Sequence, residues 1–468
     1  MINNKLKLIS VGLSFFTTSI YIFIITYGEW NFFIYTDGRS FYHSILAKQI
    51  LTGNFDVPLE ALVAANFESQ PGECFIYNDK CFGYFGMTPI LFRILNPVTY
   101  FFESPINSAI YMSIEIFLVI FVSMLIFINL SSLLKVRFIQ TQQLIIFWFI
   151  CTFSPLIFLF TRAYVYEESI LVSILFFLIG FLYLIKFQLT GNRIYLFISI
   201  FSIPLTINSR INEGLGLAIC LFLFILIRFR HQYKKILNYF WMISLGTSSY
   251  FVLNYLKFGA IMPNFEENYG AYLVNESRLE FYIQNNQFEL VRMFKNFILW
   301  TTPNFTNWPF GLNYRPGKYN LNLMFFELSS TSTEQNEGFT SLSLTIMLST
   351  IFIILGIIYI VKNSVFEATP FVVGSLVIVL LMNGQIGQTL RYGADFYPLI
   401  LFLSGIGVAK YSETQRFKNL TYMLIAILGI YQAVLVLGIS INFWNEIGSG
   451  DLPLEINNLK NYLKIVIN

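Results

Sequence analysis

Charge is what this chain has least of. Charged residues fill 12% of its 468 positions, against roughly 25% in an ordinary soluble domain, so a water-exposed globular surface is excluded. Histidine occurs only at His43 and His231, and two imidazoles cannot assemble a histidine-rich metal centre. There is no HExxH pair, no Cys/His zinc spacing and no glycine-rich loop opening a helix, and the run Gly214-Leu215-Gly216 is too short to cradle a nucleotide. No internal repeat is present, and Glu115 is the one charge deep in an apolar run. That sets aside the paired broken helices and midplane polar groups of a transporter or flippase. The net charge of +3 averages two oppositely biased faces, and no nucleic-acid partner is expected.

Hydrocarbon fills the space that charge leaves: 56% of residues are hydrophobic and 18% aromatic. Apolar runs long enough to cross a roughly 30 Å bilayer core as helices recur along the chain. They lie near residues 8–27, 106–134, 141–161, 168–186, 193–209, 212–228, 236–257, 341–361, 366–383, 392–410 and 418–440. The expected fold is an all-α polytopic membrane protein of about 11 transmembrane helices. The first run resembles a secretory signal, but no small-residue cleavage site precedes Gly28 and Glu29, so it is read as a retained anchor. Abundant Phe, Ile, Asn and Lys suggest an AT-rich bacterial coding sequence.

Basic residues set the orientation. With Lys5 and Lys7 in the cytoplasm, the later cytoplasmic connections hold Lys135, Arg137, Lys186, Arg193, the cluster from Arg228 to Lys235, Lys362, Lys410, Arg416 and Lys418. The opposite short loops hold only Arg162, Arg210 and Arg391, which satisfies the positive-inside rule with the working face outside. His231 falls in the cytoplasmic basic cluster and reads as solvated. Two long segments occupy the outer face, about residues 28–105 and 258–340, dividing the chain into an N-terminal membrane module 1–257, a long outer loop 258–340 and a C-terminal module 341–468. Helical stripes within them, Phe41, Tyr42, Ile45, Leu46 and Ile50 in one and Leu290, Met293, Phe294, Phe297 and Ile298 in the other, suit interfacial helices or helices packed on the bundle.

Cys74 and Cys81 are the two cysteines outside the apolar runs, both in the first outer segment, and a disulfide between them fits an oxidising compartment. Cys151 and Cys220 read as packing residues. The remaining polar groups gather at the outer ends of spans: Asp37, Arg162 with Glu167 and Glu168, Arg210 with Glu213, and Arg391 with Asp395. Charge beside hydrocarbon is costly, so such groups pair with one another or line a polar cavity. Arg391 and Asp395, four apart, suit a helical ion pair, as does Arg162 with Glu167 or Glu168. Asp37 suits either an Asp-Gly turn, with Ser40 capping the next helix, or a base held at the membrane surface.

The local text then adds a likeness. The run RSFYHSILAKQILTGNFDVP, followed by CFGYFGMTPILFRILNP, and the late run RYGADFYP resemble phrases of the GT-C superfamily of integral-membrane glycosyltransferases. The match is close over about residues 30–100 and 388–400 and is otherwise one of architecture. Relatives often carry an acidic residue where this chain has His43. The resemblance implies a bacterial plasma-membrane enzyme of the cell envelope and its polysaccharide biosynthesis, with its N-terminus in the cytoplasm. It would transfer a sugar from a polyprenyl-phosphate donor to a glycan, lipid or protein acceptor outside, with inversion. Asp37 would act as base, with His43 beside it. Arg391, Arg210 and Arg162 would bind the donor phosphate, since the guanidinium fork matches phosphate geometry. Glu167, Glu168 and Asp395 are alternative bases. No cofactor is implied, although a divalent metal on Asp37, Glu167 or Glu168 is compatible with the residues. An envelope-polysaccharide polymerase or ligase shares the lipid-linked substrate, but would concentrate its outer polar residues in later loops.

Overall fold

The computed structural model describes residues 4–32, 38–58, 74–77, 80–83, 86–95, 106–136, 139–161, 163–261, 279–280, 283–284, 288–301, 321–323, 326–328, 346–363, 365–384, 390–411 and 418–445. Each of the eleven apolar runs contains a helix, because in a medium without water a backbone satisfies its polar groups only within itself. Among the described residues, seven helical stretches are long and apolar enough to cross a membrane, and shorter apolar helices occupy the other four runs. The protein is an all-α integral membrane protein.

Helix α1 (Asn4–Ile25) leads into the first outer segment. There α2 (Gly38–Leu51), β1 (Val57–Pro58), β2 (Cys74–Tyr77), β3 (Lys80–Gly83) and α3 (Thr88–Leu95) form a small module. The strands make an antiparallel sheet in the order β1-β3-β2. The bundle continues with α4 (Ser108–Leu133), α5 (Thr141–Thr152), a 3-10 turn Pro155–Thr161, α6 (Val165–Thr190), α7 (Arg193–Ile207), α8 (Ile211–Arg228) and α9 (Tyr233–Phe258). The second outer segment contributes α10 (Leu290–Thr301) and a short hairpin of β4 (Leu321–Leu323) with β5 (Phe326–Leu328). Then come α11 (Met347–Asn363), α12 (Thr369–Asn383), a 3-10 turn Leu390–Phe396, α13 (Tyr397–Tyr411) and α14 (Lys418–Asn445).

Helix α6 is central, with most of its side chains buried and its main packing against α4 and α7. Helix α12 packs on α8, and α13 touches α4, so helices from before and after the second outer segment share one bundle. Helices α11 and α13 approach closely through glycine. A Cβ on Gly356 would lie 2.1 Å from the Leu403 carbonyl oxygen, and one on Gly407 would lie 2.1 Å from that of Phe352. Such small-residue contacts let helices pack where lipid supplies no hydrophobic driving force.

The interfacial expectation divides between the two loop helices. Helix α2 takes the packed alternative: Tyr42, His43, Ser44, Leu46 and Ala47 are all buried. Its apolar residues join Val57, Cys74, Cys81, Ile90 and Val165 in a separate core, because α3, β1, α4 and α6 close over it from several sides. Helix α10 turns Leu290, Phe294 and Ile298 outward and buries Arg292, Asn296 and Trp300. Its polar face meets the end of α12, where Asn296 donates to the Asn383 carbonyl at 2.8 Å and Arg292 to that of Gly384 at 3.3 Å. Carbonyls at a helix C-terminus lack intrahelical partners, so they accept from these side chains.

Candidate active site

Three polar segments meet at the end of the bundle that carries the first outer module. The first turn of α6 holds Glu167 and Glu168, favoured there because a helix N-terminus carries partial positive charge. Arg210 is the N-cap residue of α8, whose first turn holds Glu213. The 3-10 turn before α13 supplies Arg391, Tyr392 and Asp395.

The ion pairs cross between these segments. Arg210 keeps the neighbour that spacing suggested, with Nη1 donating to Glu213 Oε1 at 3.2 Å, but the same nitrogen also donates to Asp395 Oδ1. Arg391 does not pair with Asp395. Its Nη1 donates to Glu167 Oε1 at 3.1 Å. The expected helical pair fails because residues 390–396 form a 3-10 turn, whose three-residue period takes position i+4 off the face of position i. Both cations lie near the Tyr392 ring, the Arg210 guanidinium at 5.2 Å from its centre and that of Arg391 at 5.8 Å, and Arg391 also sits 4.4 Å over Tyr166. The side chains of Arg210 and Arg391 reach solvent at 17% and 15% exposure, whereas Glu167, Glu213 and Asp395 are at 3%, 0% and 0%. Burial opposes the charge of Arg210, but Asp395 and then Glu213 outweigh it and raise its pKa above the ordinary value.

A second cluster ties the outer module to the bundle. Glu168 receives two bonds from Arg93, one of 2.8 Å from Nη2 and the other from Nη1, and a third of 3.1 Å from His43 Nδ1. Arg93 Nε donates to Ser44 Oγ at 2.9 Å, Nη1 to the Pro89 carbonyl at 3.3 Å, and the guanidinium lies 4.1 Å over the Tyr111 ring. Burial lowers the His43 pKa, and Arg93 and Lys257 act in the same direction against the pull of Glu168. The neutral ring therefore gives its Nδ1 hydrogen to Glu168. His43 and Glu168 are fully buried, and both carboxylate oxygens of Glu168 are engaged, while His43 Nε2 has no hydrogen-bond partner among the described residues.

Arg93 is the residue that sequence reasoning missed. It closes the YFGMTPILFR phrase, with Leu91, Phe92, Ile94 and Leu95 around it, and a lone guanidinium among apolar neighbours in a membrane protein calls for a buried acid. The glycine of that phrase has a packing reason. A Cβ on Gly86 would lie 1.9 Å from the Asn208 carbonyl oxygen, and Thr88 then bonds that carbonyl at 3.0 Å and the Leu205 carbonyl at 2.7 Å. The phrase is thus sewn to the end of α7.

Cys74 and Cys81 are bonded to each other across β2 and β3, with Cα atoms 5.3 Å apart. Cys151 and Cys220 are buried and free. Glu115 is buried on α4, one turn past Tyr111, and neither of its oxygens has a hydrogen-bond partner among the described residues. Trp300 is buried with its ring centre 5.7 Å from that of Phe396. Asp37, the residue before α2, and Arg162, in the connection before α6, lie outside the described residues. Among the described residues no three His, Cys, Asp or Glu side chains are placed to hold a metal.

No protein-family model matches the chain, and no curated protein matches it. Among solved structures it is similar to the Archaeoglobus fulgidus oligosaccharyltransferase in its apo form, at 13% identity and a TM-score of 0.49 over 92% of this chain and 56% of that one. It is also similar to the archaeal oligosaccharyltransferase AglB from Archaeoglobus fulgidus, solved with an inhibitory peptide and a dolichol-phosphate, at 12% identity and a TM-score of 0.46 over the same shares. The chain aligns with little more than half the length of these proteins.

Proposed function

We propose that the chain is a membrane glycosyltransferase of the GT-C kind, moving a sugar from a polyprenyl-phosphate donor to a hydroxyl of an envelope glycan, lipid or protein acceptor on the outer face of a bacterial plasma membrane. The observation that carries the reading is the pair of partly solvent-accessible guanidiniums, Arg210 and Arg391, at 5.2 and 5.8 Å from the Tyr392 ring centre at the bundle end bearing the outer module. Such an arrangement suits an anion that sits at membrane depth, as the phosphate of a lipid-linked sugar does.

In this reading Asp37 takes the acceptor's proton as the acceptor oxygen attacks the anomeric carbon. The bond from that carbon to the phosphate oxygen breaks, its electron pair stays on the phosphate, and the sugar inverts. Arg210 and Arg391, with Arg162, stabilise the charge that develops there, the role in which fixed electrostatics contributes most. His43, Glu168 and Arg93 serve the same end indirectly. They fasten α2, whose first residue follows Asp37, to α6 and α3.

The test is transfer of radiolabelled sugar from synthetic polyprenyl-phosphate sugars by the purified protein in lipid nanodiscs. Release of polyprenyl phosphate together with a labelled acceptor supports the reading. Folded protein that turns over no donor in a panel of hexosyl and pentosyl lipids counts against it.

A further inference from the structure

We infer that Glu167 is a release residue for the spent lipid: its carboxylate holds Arg391 when no phosphate is bound and reclaims it from the leaving polyprenyl phosphate. The inference rests on the glycosyltransferase reading above and adds an exchange of partners at one guanidinium.

The need for such a device follows from the reaction's charges. The donor is a phosphodiester with one negative charge. When the anomeric carbon–oxygen bond breaks, the leaving group is a phosphate monoester of about −1.5 to −2 charge at neutral pH. A site of fixed arginines therefore holds its product more tightly than its substrate, and turnover requires something that competes for those arginines.

Glu167 is built to compete. Its Oε1 accepts from Arg391 Nη1 at 3.1 Å, and its Oε2 has no hydrogen-bond partner among the described residues. The carboxylate is buried at 3% exposure, while the Arg391 side chain reaches solvent at 15%. The other acids hold other cations. Glu168 engages Arg93 and His43 through both oxygens. Glu213 and Asp395 hold Arg210 through one oxygen each, their second oxygens also without a hydrogen-bond partner among the described residues, so Glu167 is the acid of the cluster that holds Arg391. An arriving phosphate can engage the guanidinium fork through two oxygens, whereas Glu167 offers Nη1 a single bond, so phosphate displaces it. Displacement strands a buried carboxylate without its cation, a costly state. That cost is subtracted from lipid-phosphate affinity and recovered when the lipid departs. Glu167 is a positioning residue in this scheme; the proton transfer stays with Asp37.

The experiment measures retention of polyprenyl phosphate, without sugar, by the full chain in nanodiscs for wild type, Glu167→Gln, Arg391→Ala and the double variant, with thermal unfolding recorded for each. Glu167→Gln is expected to bind the lipid about tenfold more tightly or better and to be more strongly product-inhibited during turnover. The gain disappears in the Arg391→Ala background. Glu167→Asp, which draws the carboxylate back by about 1.5 Å, should show a smaller gain, and it carries the test if the Gln variant does not fold. Equal or weaker binding by both Glu167 variants overturns the inference, as does an undiminished gain without Arg391, which would reflect mere loss of a negative charge. A gain for inorganic phosphate but not for polyprenyl phosphate overturns the lipid as its source. Folded wild-type and Glu167→Gln proteins that both fail to retain polyprenyl phosphate overturn the donor reading itself, and the inference with it.

Discussion

Arg93 and Glu168, 75 positions apart in sequence, form a fully buried two-pronged ion pair between the outer module and the central helix of the bundle. Removing either partner leaves an uncompensated charge in a low-dielectric interior, which costs about 3–5 kcal/mol, whereas exchanging both for apolar groups of similar volume is often near neutral. Arg93→Met and Glu168→Gln should each lower the unfolding midpoint sharply, and Arg93→Met with Glu168→Leu should recover most of the loss. Thermal unfolding in detergent reads the outcome. Single variants within about 1 kcal/mol of wild type would mean that the pair does not fasten the module.

His43 gives the same clasp a pH dependence. Its pKa is held below 6.5 by burial, with the Arg93 and Lys257 cations adding to the effect and Glu168 opposing it. A base with a depressed folded pKa contributes full stability above its unfolded value, and the contribution is lost as the unfolded chain takes up protons on acidification. Wild-type stability should therefore begin to fall as pH drops below about 6.5. His43→Asn, which retains a donor toward Glu168 but does not titrate, should lose less over that interval. Parallel pH profiles for the two proteins would remove His43 as the cause.

Orientation can be read chemically. Cys151 and Cys220 are buried and Cys74 is bonded to Cys81, so an introduced thiol reports with little background. A cysteine at Glu337 should react with a membrane-impermeant maleimide on intact cells, and one at Gln232 only after permeabilisation. Mass spectrometry without reduction should recover a peptide linked through Cys74 and Cys81. The reverse labelling pattern would turn every proposed site residue to the cytoplasmic side.

The apolar runs made the helices legible because bilayer thickness fixes their length and composition. Site pairing was legible only where it was local. Arg210 with Glu213 is a three-residue relation and could be read directly, but Arg391 with Glu167 and Arg93 with Glu168 join segments 224 and 75 positions apart. No periodicity encodes such distances. The error at Arg391 and Asp395 had a definite source, a helical period assumed where the chain makes a 3-10 turn. The amphipathic stripe of α2 suits an interfacial helix or one packed on the bundle, and it does not show that His43 and Ser44, off the stripe, are buried as well. Tertiary partners make that burial tolerable: Glu168 for His43, and Arg93 with the Ile106 carbonyl for Ser44.

Asp37 is the residue on which the chemistry turns. It immediately precedes α2, and α2 is held by His43 to Glu168 and by Ser44 to Arg93. Replacing Asp37 by Asn preserves shape and turn-forming ability while removing the base, and loss of a general base typically lowers the rate by about 10²- to 10⁴-fold. Arg391→Ala should also impair transfer, but chiefly by weakening donor binding, so its deficit should shrink at saturating donor while that of Asp37→Asn should not. Asp37→Asn should unfold at close to the wild-type temperature, whereas Arg391→Ala strands the buried Glu167 carboxylate and should unfold at a lower one, so its transfer is compared per folded protein. The measurement is sugar transfer across a range of donor concentrations, normalised to folded protein. If Asp37→Asn is well folded and transfers at close to the wild-type rate, Asp37 is a turn residue, and the base must be sought among the acids beneath Arg210 and Arg391, with Asp395 first because Glu168 has both its oxygens engaged.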